Sequence, residues 1–410
     1  MLTPSLPACM SGNCGLALAH GLKSAGIKYA IFERDTEDDF YNRPRDWGML
    51  LHWGAAYLER LLPSHLKSRI HEPRCDPFLG ASDDIGPVPF VNALTGQVMA
   101  KIPIPGINRV SRMKLRRFLT QDEELNIEFG KIVEKIEDVD GIMRVMFRDG
   151  SIESGDLVVG CDGSHSKVRE FLVGKEAAQP EDVGLTMINY SKSGYTADEA
   201  RLLQTLHPVF KIAAHPDRPG NGILAALDIS DPTDPTTWKF QNYIGWWGPP
   251  YAKDLQDPSI RMDFYRSFVS PFCEPFRTGA LKLLDGELVP IYPGQQWAPT
   301  MAWDNHGGKV TLAGDAAHSM LPQRGQGLNN AIKDASEIVD AVNAVVKGGK
   351  TLAEAISGYE AEMKPRGASE VGLSFEQAVK ARDQSTLEES PLFKQGWAKS
   401  GVPASASVEG

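Results

Sequence analysis

The chain has 410 residues, 23 % charged and 42 % hydrophobic, with 43 Lys and Arg against 53 Asp and Glu for a formal net charge of -10. That length predicts two interleaved domains or one large composite domain with a sizeable core, and it excludes a disordered chain and a small staple-dependent fold. The acidic balance argues against nucleic-acid binding, which needs a clustered positive field.

From the N-terminus, residues 3–8 hold Pro4 and Pro7 and make a poor strand. Gly12 opens a helix on which Leu18, Leu22 and Ala25 recur at helical spacing, and Gly26 stops it. Residues 29–32 form a short apolar run that ends in Glu33, the pattern of a buried parallel strand. Residues 50–62 are apolar but interrupted by His52, Glu59 and Arg60, so no transmembrane segment is expected. Residues 127–129, 143–147 and 156–160 are further strand candidates, with Asp149-Gly150 as a hairpin turn. Between about 180 and 290, Pro-rich punctuation separates short aromatic and branched runs such as residues 239–247, which predicts an antiparallel sheet. Strand, Gly-rich turn and helix return over residues 309–344, and the tail after about Leu392 is expected to fray.

Cys9, Cys14, Cys75, Cys161 and Cys273 are scattered with no C-x-x-C pair. This usage predicts a reduced, cytoplasmic setting without a disulfide framework or a metal site. Residues 1–10 have no basic stretch before an apolar block, so no secretory leader is expected.

Three stretches carry chemistry. Gly12-Asn13-Cys14-Gly15 precedes the first helix, and Glu33 follows Gly15 by 18 residues. Small residues at a helix N-terminus admit a pyrophosphate, and an acid about 20 residues on accepts ribose hydroxyls. Met10 stands where the first glycine of G-x-G-x-x-G would fall. In residues 156–169 an apolar strand ends in Asp162-Gly163, and in residues 310–318 a strand delivers Gly314-Asp315. Residues 322–330, Pro-Gln-Arg-Gly-Gln-Gly-Leu-Asn-Asn, then open a helix through Gly325 and Gly327. Ligands of open parallel sheets bind at the edge where such acids emerge.

Together these stretches resemble the FAD-dependent monooxygenases of the aromatic-hydroxylase type, including the fungal secondary-metabolite and zeaxanthin-epoxidase-like branch. The resemblance covers most of residues 11–345, and Arg112 to Leu115 matches the family's Arg-x-x-Leu element. It implies an α/β fold: a Rossmann-like FAD-binding domain (1–75, 105–175, 290–365), an inserted antiparallel β-sheet substrate domain (76–104, 176–289), and C-terminal helix and tail (366–410). It also implies FAD, NADPH or NADH as co-substrate, O2 and a small organic substrate, hydroxylated or epoxidised through a flavin hydroperoxide.

Residue by residue, the resemblance gives Gly12, Gly15 and Glu33 to the FAD adenosine end and Arg112 to the FAD backbone. Asp315 goes to the ribityl or pyrophosphate region, and Gly325, Gly327 and Leu328 to the isoalloxazine. Asp162 reads as an acid linked to FAD and NAD(P)H, or as an N-cap for the helix near Val168. Arg45 and Pro322 are the expected catalytic residues, Arg45 as a cation for charge on reduced flavin or a substrate phenolate, and Gly48 gives backbone access. Tyr190, Tyr243 and Trp246 are expected to line the substrate pocket or to pack in the core, and His318 to be structural. The altered N-terminus keeps a second reading open, a degenerate flavoprotein scaffold acting as a non-redox cyclase, isomerase or binding protein.

Overall fold

The structure is a computed structural model that describes residues 5–10, 12–79, 85–104, 108–218, 220–283, 286–381 and 384–397. The helix Asn13–Ser24 is buried from Cys14 to Leu22, as a helix must be when it is packed on every side. It lies between a parallel sheet and the helices Gly54–Leu61 and Gly327–Val346. Gly21 permits that approach, because a Cβ there would stand 2.6 Å from both Leu61 Cδ2 and Val339 Cγ2.

The parallel sheet has five strands in the order Val310–Leu312, Val158–Gly160, Ser5–Met10, Lys28–Glu33 and Ile127–Phe129. Sequence from the far end of the chain thus completes it, as expected. The first strand corrects the reading of residues 3–8. Thr3 and Pro4 lie outside the described residues, but Ser5–Met10 forms and sits at the centre of the sheet. Pairing with Lys28–Glu33 runs Ser5–Lys28 and Leu6–Tyr29, shifts, and resumes at Cys9–Ile31 and Met10–Phe32. A proline removes one ladder donor, and here the strand accommodates Pro7 by an irregularity rather than by breaking. The turn at Asp149-Gly150 joins Ile142–Phe147 to Ile152–Gly155, with Gly150 at φ 84°.

The second sheet has seven strands in the order Ile291–Gln296, Glu181–Lys192, Lys239–Trp247, Gly220–Asp228, Phe210–Ala214, Val88–Asn92 and Val98–Ile102. It is antiparallel but for the parallel pair Phe210–Ala214 and Val88–Asn92. Ile291–Gln296, placed with the first domain from residue 290, belongs by pairing to this sheet. Helices Pro258–Val269 and Phe276–Leu281 cover one face over an aromatic core. The ribbon of Gly48–Leu50 and Arg109–Ser111 is antiparallel and contacts the second sheet.

The helix Leu352–Lys380 runs unbroken through the division expected at 365/366. Of the tail expected to fray after about Leu392, the described part, up to Trp397, is instead held: Leu392 and Trp397 are buried, and the Leu392 N–H donates to Gln377 Oε1 at 2.7 Å. Residues 398–410 lie outside the described residues. Among the described residues no helix is long and apolar enough to cross a membrane, and no cluster suits a metal ion.

Candidate functional site

A cavity of about 440 Å³ opens at the C-terminal edge of the parallel sheet. The turns leaving four of its strands all reach it, through Gly12 to Cys14, Glu33 to Asp35, Cys161 to Gly163, and Asp315. The seven-stranded sheet forms the opposite wall with Asn189, Phe210, Ile212, Ile223, Gln241 and Tyr243. One space therefore brings together Gly12, Glu33, Gly48, Arg112, Asp162, Tyr243, Asp315, Pro322, Gly325, Gly327 and Leu328.

At one end Glu33 closes its strand with 5 % of its surface exposed, accepting the Asp35 N–H at 2.8 Å. Burial raises its pKa against that hydrogen bond, so a carboxylate here gains from further donors such as ligand hydroxyls. Arg112 begins the helix Arg112–Thr120, which the Ser111 hydroxyl caps at the Lys114 N–H. Its guanidinium lies 4.7 Å from the Trp47 ring centroid, and no described residue accepts a hydrogen bond from it. Asp46 is engaged with Ser111 Oγ at 2.6 Å and the Trp47 and Met113 N–H groups, and it acts on Arg112 through charge alone. Burial, then Arg116, pushes the Arg112 pKa down to about 10. A guanidinium so placed, on the same cavity as a helix N-terminus, can take an anionic group.

The Gly314-Asp315 turn is held from behind. Asp334, fully buried, accepts the Gly314 N–H at 2.8 Å and His318 Nε2 at 2.7 Å, and its other oxygen accepts Arg366 Nη2 at 2.6 Å. His318 is thereby structural, as expected. Asp315 itself opens to the cavity though protein surrounds it; burial raises its pKa, with His318, Arg112 and Arg169 pulling the other way. Asp162 lines the cavity, yet its oxygens accept Ser166 Oγ at 2.5 Å and the Lys167 N–H at 2.6 Å. The N-cap of that helix is Ser166, whose hydroxyl accepts the Arg169 N–H at 2.9 Å, so Asp162 is not the cap expected and instead supports the cap and the first helical N–H from outside.

The turn after Pro322 is fixed by Asn329. That side chain accepts the His52 and Gly54 N–H groups at 3.0 Å and donates to Leu50 O at 3.0 Å and Gly325 O at 3.2 Å. Gly325 has φ 61°, and a Cβ there would stand 2.7 Å from Leu50 Cδ1. Gly325→Ala should thus cost about 1–3 kcal/mol, read as a lower melting temperature of the FAD-free protein; an unchanged value would show that the turn yields.

Four expected site residues are placed elsewhere. Gly15 is buried inside the first helix. Arg45 is exposed and stacks at 4.1 Å from Tyr292 and 4.8 Å from Trp47, beside the cavity rather than on it. Tyr190 bonds Tyr265 Oη and Ala280 O at 2.8 Å in the core behind the sheet. Trp246 packs there on Phe264 and Phe268 and donates to Pro250 O at 2.9 Å. Sequence reasoning missed Arg109, Arg116, Gln241, Gln323 and Trp397, all on the cavity wall. Arg116 had a signal, since it follows Arg112 by one helical turn.

A glycine-edged cavity lined by Glu33 and by a guanidinium without a hydrogen-bond acceptor fits a dinucleotide such as FAD. Comparison with known proteins agrees. A family model described as an FAD binding domain matches residues 295–373. The chain is 31 % identical to the FAD-dependent monooxygenase phnB of Penicillium herquei, over 94 % of this chain and 93 % of that one. It is 32 % identical to the FAD-dependent monooxygenase cctM of Talaromyces islandicus, over 94 % and 95 %. Among solved structures, a putative FAD-containing monooxygenase of Photorhabdus luminescens superposes with a TM-score of 0.73 at 25 % identity, covering 92 % of this chain and 98 % of that one. The R204Q variant of Klebsiella pneumoniae HpxO complexed with FAD shares the fold, with a TM-score of 0.73 at 20 % identity over 94 % and 92 %. The chain belongs to the FAD-dependent monooxygenases, and it is an FAD-binding oxidoreductase.

Proposed function

We propose that the enzyme uses NADPH or NADH and O2 to hydroxylate or epoxidise a small flat organic molecule, a secondary metabolite in keeping with its fungal relatives. One observation carries this reading: the cavity that begins at the glycines and acids of the parallel sheet continues without a partition onto the face of the seven-stranded sheet. A cofactor end and a substrate end thus share one chamber.

In this reading Glu33 holds the adenosine ribose, while Gly12 and Arg112 meet the pyrophosphate with N–H donors and a fork of charge. Asp315 takes ribityl hydroxyls, and the turn from Pro322 through Gly325, Gly327 and Leu328 presents backbone N–H groups to the ring system. FAD, when bound, supplies the redox chemistry, hydride acceptance from the nicotinamide and activation of O2. The chain's own contribution is placement and dryness: Phe210, Ile212, Ile223 and Leu328 exclude water from the reacting end. Tyr243, hydrogen-bonded to Gln323 Nε2 at 2.8 Å, sets one polar point on that wall. Burial raises the Tyr243 pKa, so its hydroxyl stays protonated and available as a donor. The two-domain division by function follows the two sheets, cofactor on the parallel sheet and substrate on the seven-stranded one.

The non-redox alternative drew its motive from a broken first strand; with Ser5–Met10 paired on both edges, Met10 alone remains in its favour. The purified protein should be yellow, oxidise NADPH or NADH faster when its substrate is added, and place one atom of labelled O2 in the product. FAD-loaded protein that neither nicotinamide reduces, across a panel of phenols, polyketides and terpenoids, would refute the reading.

A further inference from the structure

We infer that Cys14 and Cys161 form a site of covalent modification: a thiol pair that hydrogen peroxide closes to a disulfide when FAD is absent, and whose closure opposes FAD binding. Cys161 Sγ donates to Cys14 Sγ at 3.8 Å, and Cys14 Sγ donates to Ala331 O at 3.1 Å. A disulfide bond is about 2.05 Å long, so the sulfurs must approach by about 1.8 Å. The backbone around them is already close. Ser5–Met10 and Val158–Gly160, the strands that lead to the two cysteines, are hydrogen-bonded neighbours paired at Cys9–Val159. Beyond the strands the turns still touch, since a Cβ on Gly12 would stand 3.4 Å from the Cys161 carbonyl oxygen. Cys75 and Cys273 are free thiols as well, but Cys273 Sγ meets Asn92 O at 3.7 Å instead of another sulfur.

Both cysteines line the cavity, each 7 % exposed. A small oxidant reaches them from the chamber, and a dinucleotide lying along the Gly12 and Gly163 edge covers them. Hydrogen peroxide is the two-electron product of O2 reduction, released by a flavoenzyme whose oxygen is not transferred. One sulfur attacks a peroxide oxygen: the O–O bond breaks, an S–O bond forms, and the thiol proton leaves with the departing hydroxide as water. The second sulfur then displaces the oxygen of that sulfenic acid, so the S–O bond breaks, the S–S bond forms, and a second water departs. In sum, two thiols and one peroxide give one disulfide and two waters. Closure disturbs the cavity edge because the Cys14 sulfur is a meeting point. A Cβ on Gly314 would stand 3.6 Å from it, and Ala331 belongs to the helix Gly327–Val346. Drawing Cys14 Sγ towards Cys161 gives up its bond to Ala331 O and alters the spacing of the Gly12 turn from the Gly314-Asp315 turn. The closed pair therefore binds FAD less well, and by reciprocity bound FAD opposes closure.

The test treats the full-length protein, FAD-loaded and FAD-stripped, with hydrogen peroxide. Trypsin leaves Cys14 in residues 1–23, together with Cys9, and Cys161 in residues 149–167. After alkylation without reductant, the stripped protein should yield these two peptides linked, about 2 Da below their summed mass. Fragment ions should place the bond on Cys14, and dithiothreitol should release it. The FAD-loaded protein should form the link about tenfold more slowly, and linked protein should bind FAD about tenfold more weakly than the same sample after dithiothreitol. In Cys161→Ala, peroxide should leave FAD affinity where it stood before treatment. Peroxide that yields no linked peptide, a bond to Cys9, a link that forms equally fast under FAD, or linked protein with unaltered FAD affinity overturns the inference. Failure of the reduced parent to take up FAD would instead strike at the flavoprotein assignment.

Discussion

Arg112→Ala should weaken FAD binding by roughly 10- to 150-fold without destabilising the FAD-free protein. The first half follows from charge-assisted hydrogen bonding, worth about 1.5–3 kcal/mol when a guanidinium meets a phosphate. The second half follows from what Arg112 lacks. Its guanidinium rests on Trp47 with no described acceptor, and burial already pulls its pKa down to about 10. Removing a buried cation that Asp46 offsets only through charge relieves a desolvation cost, so the FAD-free melting temperature should hold or rise. Arg112→Lys should fall between, keeping a point charge but losing the planar fork. Fluorescence titration with FAD and a thermal melt of the stripped protein separate the two quantities. Full FAD affinity in Arg112→Ala would remove Arg112 from the cofactor site, and a parallel loss of FAD-free stability would make it a structural residue.

The acids at strand ends were the most legible part of the site. Asp162-Gly163 and Gly314-Asp315 each follow a short apolar run, and the runs fold as neighbouring parallel strands, Val158–Gly160 beside Val310–Leu312. An apolar strand that stops at an acid can be recognised locally because both its burial and its exposed end are written in consecutive residues. Pro7 misled for the complementary reason. A proline forbids a particular hydrogen bond, and whether a ladder tolerates the gap depends on partners 20 to 150 residues away, Lys28–Glu33 and Val159.

The substrate wall failed on parity rather than on residue type. Successive side chains of a strand face opposite sides, so Gln241 and Tyr243 share a face and Trp246, an odd number of positions on, takes the other. Asn189 pairs directly with Tyr243 and so joins the cavity, which sends adjacent Tyr190 into the core. Alternation alone would have divided the aromatic candidates into two sets; which set faces the cofactor is decided by the helices Pro258–Val269 and Phe276–Leu281 behind the sheet. Trp397 had no local signal at all. Its segment is held by Gln377 and Gln326, contacts that composition does not announce.

Asp334→Ala should be the most destabilising single change near the site, by about 3–5 kcal/mol, because it strips a buried carboxylate from three donors at once. Gly314 N–H and His318 would lose their partner, and Arg366 would keep only Glu362 at 3.0 Å and Asn330 at 2.7 Å. Gly314 has φ 60°, so the turn that presents Asp315 depends on this hold. Burial by itself would raise the Asp334 pKa, but His318 and Arg366 hold it at about 2, below its ordinary 3.8. A folded-state pKa below the unfolded one means that the unfolded chain binds the proton more readily. The contribution of Asp334 is accordingly full above about pH 4 and fades as the pH falls towards 2, by about 2.5 kcal/mol at most. Urea midpoints measured from pH 7 down to the acid limit should show the parent losing stability over that window and Asp334→Ala, already weakened, losing less. Asp334→Asn keeps the shape but turns an N–H group towards the Gly314 N–H or Arg366, so it should lie between the two. A variant as stable as the parent at pH 7, with the same acid limb and the same FAD affinity, would mean that the Gly314 turn is self-supporting and that Asp334 is not what positions Asp315.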